Sequence, residues 1–269
     1  MEAPRLIASD VDGTLLGPDQ LVSPRTAAVV GRAVSAGVPF VLVTGRPPRW
    51  IPPVAVQLGV VRYAVCANGA VLYDVEADRV LSARALSPEA LRAVAEACAE
   101  ALPEARLGVE RVGRSAFDDA AEFVAEPDYE HAWPGAHPPV EDRTVLLARP
   151  AVKLLIRDRG ASSAAMRAAL LPRLAAAVDV TYSHPGGLLE VAPVGVSKAT
   201  GLAEVAGLHR VAREHVVAFG DMPNDEAMLR WAGHGVAMGN AEPAVAALAD
   251  EVTASNAEDG LALVLERWF

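Results

Sequence analysis

Leu6-Ile7-Ala8-Ser9-Asp10-Val11-Asp12-Gly13-Thr14 is the stretch on which the reading of the fold turns. A short apolar run ends abruptly in two acids spaced i, i+2, followed by Gly and Thr. If Leu6 to Ser9 is a buried strand, Asp10 and Asp12 stand together at its carboxyl end, where open α/β sheets place their ligands. Two carboxylates there repel each other unless a divalent cation lies between them or one keeps its proton. A charged nucleophile, an acid and a metal make a phosphoryl-transfer site. The plain alternative is an acidic turn closing a strand, since Asp-Gly is a common turn dipeptide. The other strand ends decide between the two.

Working outward, Pro24 to Gly37 reads as a helix, with Ser23 as N-cap, Pro24 in the first turn and Gly37 at the exit. Val38 to Val43 makes a second buried strand, so a parallel sheet with a right-handed crossover is expected. That strand ends in Thr44-Gly45-Arg46: a hydroxyl, a bared backbone N–H and a cation, all suited to phosphate oxygens. An ordinary strand-to-loop turn is the competing reading, more so for Arg46 than for Thr44. Tyr63 to Ala67 forms a third strand leading into Asn68-Gly69, a hairpin signal that returns the chain through Val71 to Tyr73.

Far downstream the pattern resumes. Ser197 caps a helix running to about Ala206, which puts Lys198 in the first turn, beside the positive end of the dipole. That placement fits either a side chain reaching for solvent or a cation facing an anion. Val216 to Phe219 is a strand ending in Gly220-Asp221-Met222-Pro223-Asn224-Asp225, and a helix follows from Glu226 to Trp231. Gly235 to Met238 is a last strand, ending in Gly239-Asn240, and a helix over about Pro243 to Ala249 closes the pattern. Asp10 and Asp12, Thr44, and Asp221 with Asn224 and Asp225 therefore gather on one rim of the sheet.

The chain between Thr44 and Lys198 is far longer than a crossover requires. It has its own helices, from Ser87 to about Leu102 and over Ser163 to Leu174. Its strands lie near Leu107 to Val112, Val152 to Ile156, Val178 to Ser183 and Leu188 to Val191, and Glu126 to Arg143 reads as an extended loop. A second domain inserted into the first explains this: residues 1–85 and 194–269 form the core, and residues 86–193 the insertion.

With 269 residues, 52% of them hydrophobic and 22% charged, there is ample material for buried cores. A net charge of -10 without any Lys/Arg block argues against nucleic acid and leaves a small phosphorylated partner compatible. The amino terminus lacks a basic region followed by an apolar stretch, and no apolar run reaches membrane-spanning length. Cys66 and Cys98 show no metal-ligand spacing and read as reduced thiols of a cytoplasmic protein, a monomer or a homodimer.

In these motifs the chain resembles the haloacid dehalogenase superfamily of phosphohydrolases. Asp10-Val11-Asp12-Gly13-Thr14 is similar to its first motif, Thr44 to its second, Lys198 to its third and Gly220 to Asp225 to its fourth. The insertion after Asn68-Gly69-Ala70 and the stretch Gly235 to Ala241 resemble the Cof-type subfamily, though Lys198-Ala199 stands where that subfamily commonly has Lys-Gly. The resemblance implies a doubly wound, parallel-sheet, Rossmann-like α/β core with an inserted α/β cap. It implies a Mg²⁺-dependent phosphatase of small phosphorylated metabolites, sugar phosphates foremost. A phosphomutase or phosphotransferase using the same intermediate, or a non-catalytic phosphosugar-binding module, are the alternatives. Asp10 is then the nucleophile and Asp12 the acid/base. Mg²⁺ is held by Asp10, the Asp12 carbonyl and Asp221, with Asp225 ligating or orienting a water. Thr44, Asn224 and Lys198 fix the phosphoryl oxygens, with Gly45, Arg46 and Asn68 as further substrate contacts at the core rim. Trp133, His137, Arg143 and Glu190 are the cap candidates for contact with the leaving group.

Overall fold

The computed structural model describes residues 2–132, 138–174 and 178–269, and it divides into two compact units, Met1–Ser82 with Ser197–Phe269, and Ala83–Val196. In chain order the first segment carries β1 (Leu6–Ser9), α1 (Pro24–Ser35), β2 (Phe40–Val43), α2 (Pro52–Leu58), β3 (Tyr63–Cys66), β4 (Val71–Asp74) and β5 (Arg79–Ala83). The inserted unit carries α3 (Pro88–Ala101), β6 (Arg106–Glu110), β7 (Phe123–Ala125), α4 (Arg143–Leu146), β8 (Lys153–Arg157), α5 (Ser163–Leu170), β9 (Val178–Thr181) and β10 (Leu188–Pro193). The last segment carries α6 (Lys198–His209), β11 (Val216–Gly220), α7 (Glu226–Trp231), β12 (His234–Ala237), α8 (Pro243–Ala246), β13 (Glu251–Val252) and α9 (Gly260–Leu265).

The first unit is built on an eight-stranded sheet in the order β13-β12-β11-β1-β2-β3-β4-β5. From β13 to β3 all neighbours are parallel, and β4 turns back antiparallel on β3. Strands buried on both faces read as unbroken apolar runs, which is why β1 and β2 lack alternation. Leu6, Ala8, Val41, Val43 and Val65 pack under Leu202 and Val205 of α6 and Met228 and Leu229 of α7. The opposite side chains, Ile7, Phe40, Leu42 and Phe219, are equally buried, and on the α1 side of the sheet that helix packs on β2 and on α9. This is a doubly wound α/β fold. Its strand order reverses between β1 and β11, so the crevice at their carboxyl ends is the topological switch point.

Helix starts follow local chemistry. The hydroxyls of Ser23, Ser87, Ser162 and Ser197 each accept from the backbone N–H three residues on, at 3.0 to 3.3 Å. Gly37 takes a left-handed φ of 85° where the chain leaves α1. Helix α2 opens on Pro52-Pro53, and both prolines sit in its first turn, where a missing N–H costs nothing.

The inserted unit is a five-stranded sheet in the order β7-β6-β8-β10-β9, with antiparallel pairing throughout. It buries Leu91, Val94 and Cys98 of α3, Met166 and Leu170 of α5, and Leu107, Leu154, Ile156 and Leu189 of the strands. Between Glu126 and α4 the described residues carry no helix or strand beyond a single bridge from Ala125 to Val140. Trp133 and His137 lie outside the described residues. Among the described residues no helix is long and apolar enough to cross a membrane.

Candidate active site

The switch point fixes the acids. Ser9 is paired with Phe219, and the N–H of Asp10 donates to the Phe219 carbonyl at 3.0 Å, so the chains leave β1 and β11 side by side. After Asp10 the backbone makes a wide turn over residues 11–15, closed by the Leu16 N–H on the Val11 carbonyl and carried by Gly13 at φ 77°. A Cβ on Gly13 would lie 2.3 Å from Asp221 Oδ2, so only glycine lets this turn close over that carboxylate. Thr14 Oγ1 donates to Asp221 Oδ1 at 3.0 Å, and Asn240 Nδ2 donates to the Gly13 carbonyl at 2.8 Å and to Asp221 Oδ2 at 3.4 Å.

Lys198 is completely buried, and its ammonium answers the question its first-turn position raised. Nζ donates to Asp10 Oδ1 at 2.6 Å and to Asp225 Oδ1 at 2.7 Å. The other oxygen of Asp225 accepts from the N–H groups of Asp221 and Met222 at 3.1 Å, so this side chain anchors both the lysine and the turn after β11. Gly69 brings α6 to its place. At φ 100° a Cβ there would fall 2.0 Å from the Ser197 carbonyl oxygen, the carbonyl of the residue that caps the lysine's helix.

Thr44 is buried at the end of β2. Its hydroxyl accepts from the Arg46 N–H at 3.1 Å and its carbonyl from the Asn68 N–H at 3.0 Å. Gly45, between Thr44 and Arg46, is partly exposed. Asn68 sits in a turn in which Ala67, Asn68 and Gly69 all have left-handed φ, an unusual concentration of strain at a sheet rim. That turn aims Asn68 Oδ1 at Asn224 Nδ2, 3.0 Å away, and leaves the buried Asn224 Oδ1 without a hydrogen-bond partner.

The arrangement has a clear electrostatic character. Carboxylate oxygens of Asp10, Asp221 and Asp225 lie within 4.8 Å of one another, all buried, with Lys198 as the cation among them. Burial pushes the Asp10 carboxyl well up, against the pull of Lys198, and the neighbouring acids push the same way. Burial and Asp225 raise Asp221 to about 7. Burial alone would pull the Lys198 ammonium down, but Asp10 and Asp225 outweigh it and hold it above its ordinary range. Three hard oxygen ligands and one ammonium leave negative charge in excess, which a divalent cation such as Mg²⁺ would offset. The donor set therefore fits such an ion.

Of the residues singled out in the sequence, the structure ties Asp10, Asp221, Asp225 and Lys198 into one cluster, and Thr44, Asn68 and Asn224 into a second hydrogen-bonded group. Asp12 stands apart from the acidic cluster: its carboxylate is gripped by Arg46, with Nε on Oδ2 at 2.8 Å and Nη2 on Oδ1 at 2.6 Å. The Arg46 guanidinium is thus placed on the acid two residues after Asp10. In the inserted unit Arg143 pairs with Glu126, and Glu190 accepts from Lys153 at 2.5 Å. Three contributors escaped the sequence reading: Thr14 and Asn240, which hold Asp221, and Gln20, whose Oε1 accepts from Arg46 Nη2 at 3.1 Å. Thr14 and Asn240 lay inside quoted motifs, but nothing in the sequence marked Gln20.

Residues 7–265 match the family described as haloacid dehalogenase-like hydrolase. The 5-amino-6-(5-phospho-D-ribitylamino)uracil phosphatase YitU of Bacillus subtilis is 30% identical, over 99% of this chain and 98% of its own. The pyridoxal phosphate phosphatase YbhA of Escherichia coli is 33% identical, over 96% of each chain. A solved structure of BT1666 from Bacteroides thetaiotaomicron, among phosphatases of the same superfamily, superposes with a TM-score of 0.79 at 25% identity, covering 98% of this chain and 95% of that one.

Proposed function

The chain belongs to the haloacid dehalogenase-like hydrolases, and from that premise we propose that it is a magnesium-dependent phosphatase of small phosphorylated metabolites, sugar and polyol phosphates foremost, working through an aspartyl-phosphate on Asp10. The observation that carries this reading is the sealed chain Asp10–Lys198–Asp225 beside Asp221. It holds one Asp10 oxygen by an ammonium within a buried cluster at the switch point. The two relatives, by their names, act on a phosphorylated ribityl compound and on pyridoxal phosphate. These and sugar phosphates are monoesters of alcohols, whose alkoxides leave poorly without a proton.

In the proposed sequence Asp10 forms an O–P bond as the ester P–O bond breaks. Asp12, in its protonated form, gives the proton to the departing alkoxide from a lone pair that the Arg46 fork leaves free, and the alcohol leaves. A water then attacks the phosphorus, gives a proton to Asp12, and releases inorganic phosphate with the Asp10 carboxylate restored. Lys198 cancels part of the repulsion between a carboxylate nucleophile and a phosphate anion, and Thr44 and Asn224 are the donors for the phosphoryl oxygens. Asp10, Asp221 and the Asp12 carbonyl would hold the Mg²⁺ ion, directly or through water for Asp225, and the ion supplies charge neutralisation and orientation.

Phosphate release from a panel of sugar, polyol and cofactor phosphates, with Mg²⁺ and with chelator, tests the proposal. Turnover is expected only with the metal, and Asp10→Asn is expected to fold but to release nothing. Turnover by Asp10→Asn at the wild-type rate would refute the nucleophile. Phosphate appearing on an added polyol in place of water would make the protein a phosphotransferase.

A further inference from the structure

Arg46 follows the strand-end threonine, where a guanidinium is naturally read as a phosphate ligand, yet its side chain is committed elsewhere. Both Asp12 oxygens are taken in a fork, at 2.8 and 2.6 Å, and such a two-point contact fixes the plane of a carboxylate as well as its position. The arginine is itself held at both ends. Its N–H donates to the Thr44 hydroxyl, its carbonyl accepts from the Ala67 N–H at 2.9 Å, and Nη2 donates to Gln20 Oε1 at 3.1 Å. Gln20 is in the left-handed region at φ 63°, in a turn closed by Gly17 N–H on the Leu21 carbonyl and Gln20 N–H on the Gly17 carbonyl. That conformation is costly for a residue with a Cβ and is kept here where its amide meets the guanidinium. The pair is shielded without being sealed, with the Arg46 and Asp12 side chains 17% and 34% exposed.

We propose that Gln20 and Arg46 form a positioning arm for Asp12, setting the direction in which its carboxyl meets the leaving oxygen, so that Arg46 acts on the reaction through Asp12 and not as a grip on the phosphoryl group. This rests on the aspartyl-phosphate reading above. The two roles separate by leaving group. An arginine that binds phosphoryl oxygens serves every monoester alike. One that aims Asp12 matters where the departing oxygen needs a proton, as for an alkyl ester, and little where a nitrophenolate leaves unaided. The comparison belongs in kcat/KM, which covers the steps through the first chemical transfer. Hydrolysis of the intermediate uses Asp12 whatever the substrate was, and enters only kcat.

The experiment compares wild type, Arg46→Met, Arg46→Lys and Gln20→Ala on glucose 6-phosphate or the best alkyl ester of the panel and on p-nitrophenyl phosphate, with Mg²⁺. For Arg46→Met, kcat/KM is expected to fall on the order of tenfold or more further on the alkyl ester than on the aryl ester, within the range that general acid catalysis contributes. Gln20→Ala is expected to shift the same ratio by a few-fold, and Arg46→Lys not to restore it, since one ammonium cannot hold both Asp12 oxygens. Equal losses on both esters with KM raised for both would overturn the proposal in favour of a phosphate ligand. So would equal losses with the circular dichroism of an unfolded chain, if Gln20→Ala, folded, left the ratio unchanged. A wild-type protein that turns over neither ester would overturn the aspartyl-phosphate reading, and this inference with it.

Discussion

Replacing Asp221 by Asn should make the metal-free protein more stable, although it removes a residue from the candidate active site. The folded protein raises this carboxyl from 3.8 to about 7, chiefly by burial and then by the charge of Asp225. At about 1.4 kcal/mol per tenfold change in the proton equilibrium, keeping it ionised costs the fold on the order of 4 kcal/mol at neutral pH. The amide recovers only part of this. Its carbonyl can keep the Thr14 hydroxyl, but its NH₂ then faces Asn240 Nδ2, which stands 3.4 Å from Oδ2. A net gain of about 2 kcal/mol is expected, which for a chain of this size raises the melting midpoint by roughly 4–8 °C. The sign with pH follows from linkage. The native carboxyl binds its proton more tightly than the unfolded one, so wild-type stability falls as pH rises from the ordinary carboxylate range to about 7 and is flat beyond. The difference between Asp221→Asn and wild type should therefore shift in the variant's favour between about pH 4 and pH 7 and stay constant above. Mg²⁺ should reverse the order: at a hundredfold excess over Kd it stabilises the wild type by about 2.7 kcal/mol, and the variant by much less. Thermal melts followed by circular dichroism, in chelator and in Mg²⁺ across this pH range, are the assay. A variant that melts below wild type in chelator at about pH 8, or a gap that does not change with pH, would refute the electrostatic account.

Lys198→Met should do the opposite, leaving Asp10 and Asp225 buried without their shared cation. A loss of about 3–5 kcal/mol in urea unfolding is expected, together with loss of phosphate release, and a variant as stable as wild type would show that the pair is not ionised as drawn. Gly69→Ala places a Cβ 2.0 Å from the Ser197 carbonyl at a left-handed φ. A loss of about 3 kcal/mol or more and a falling kcat are expected as the start of α6 is displaced, and wild-type unfolding would mean that the contact gives way freely.

Much of the core was legible because its chemistry sits where simple rules look for it. Polar residues stop the apolar runs at β1, β2 and β11, and a parallel sheet brings those ends to one rim, so Asp10, Thr44 and Asp221 could be named from position alone. Lys198 was legible as an anomaly, a cation where the helix dipole disfavours one, and the two carboxylates on it are the reason. What the sequence hid depends on side-chain direction. Arg46 lies at the expected strand end, but whether it reaches for a ligand or for Asp12 is set by the turn at Gly13 and by Gln20, and no periodicity carries that information. Short elements were hidden for a different reason. Helix α9 and strand β13 are six and two residues long, too short for a pattern to repeat. In the inserted unit Glu190 of β10 engages Lys153 on the neighbouring β8, and Arg143 at the start of α4 engages Glu126 just after β7, pairings between distant segments that spacing along the chain does not encode.

The acids of the site are not equivalent, and the difference is set by which neighbour each one has. Asp12 has its own guanidinium, and Asp10 and Asp225 share an ammonium, whereas the side chains that hold Asp221, those of Thr14 and Asn240, are neutral. Neutral donors fix a carboxylate's direction without cancelling its charge, and burial makes the remaining charge expensive. A cation brought to this rim therefore meets at Asp221 a charge that its hydrogen-bond partners leave uncancelled, and Gly13, which admits no side chain there, keeps the turn after β1 closed against it. Were Asp221 paired with an arginine as Asp12 is, the fold would be more stable and the attraction for a metal ion largely spent. The instability that Asp221→Asn is expected to relieve is thus the same quantity that would draw Mg²⁺ into the proposed site, which is why stability without metal and affinity for metal should move in opposite directions across these variants.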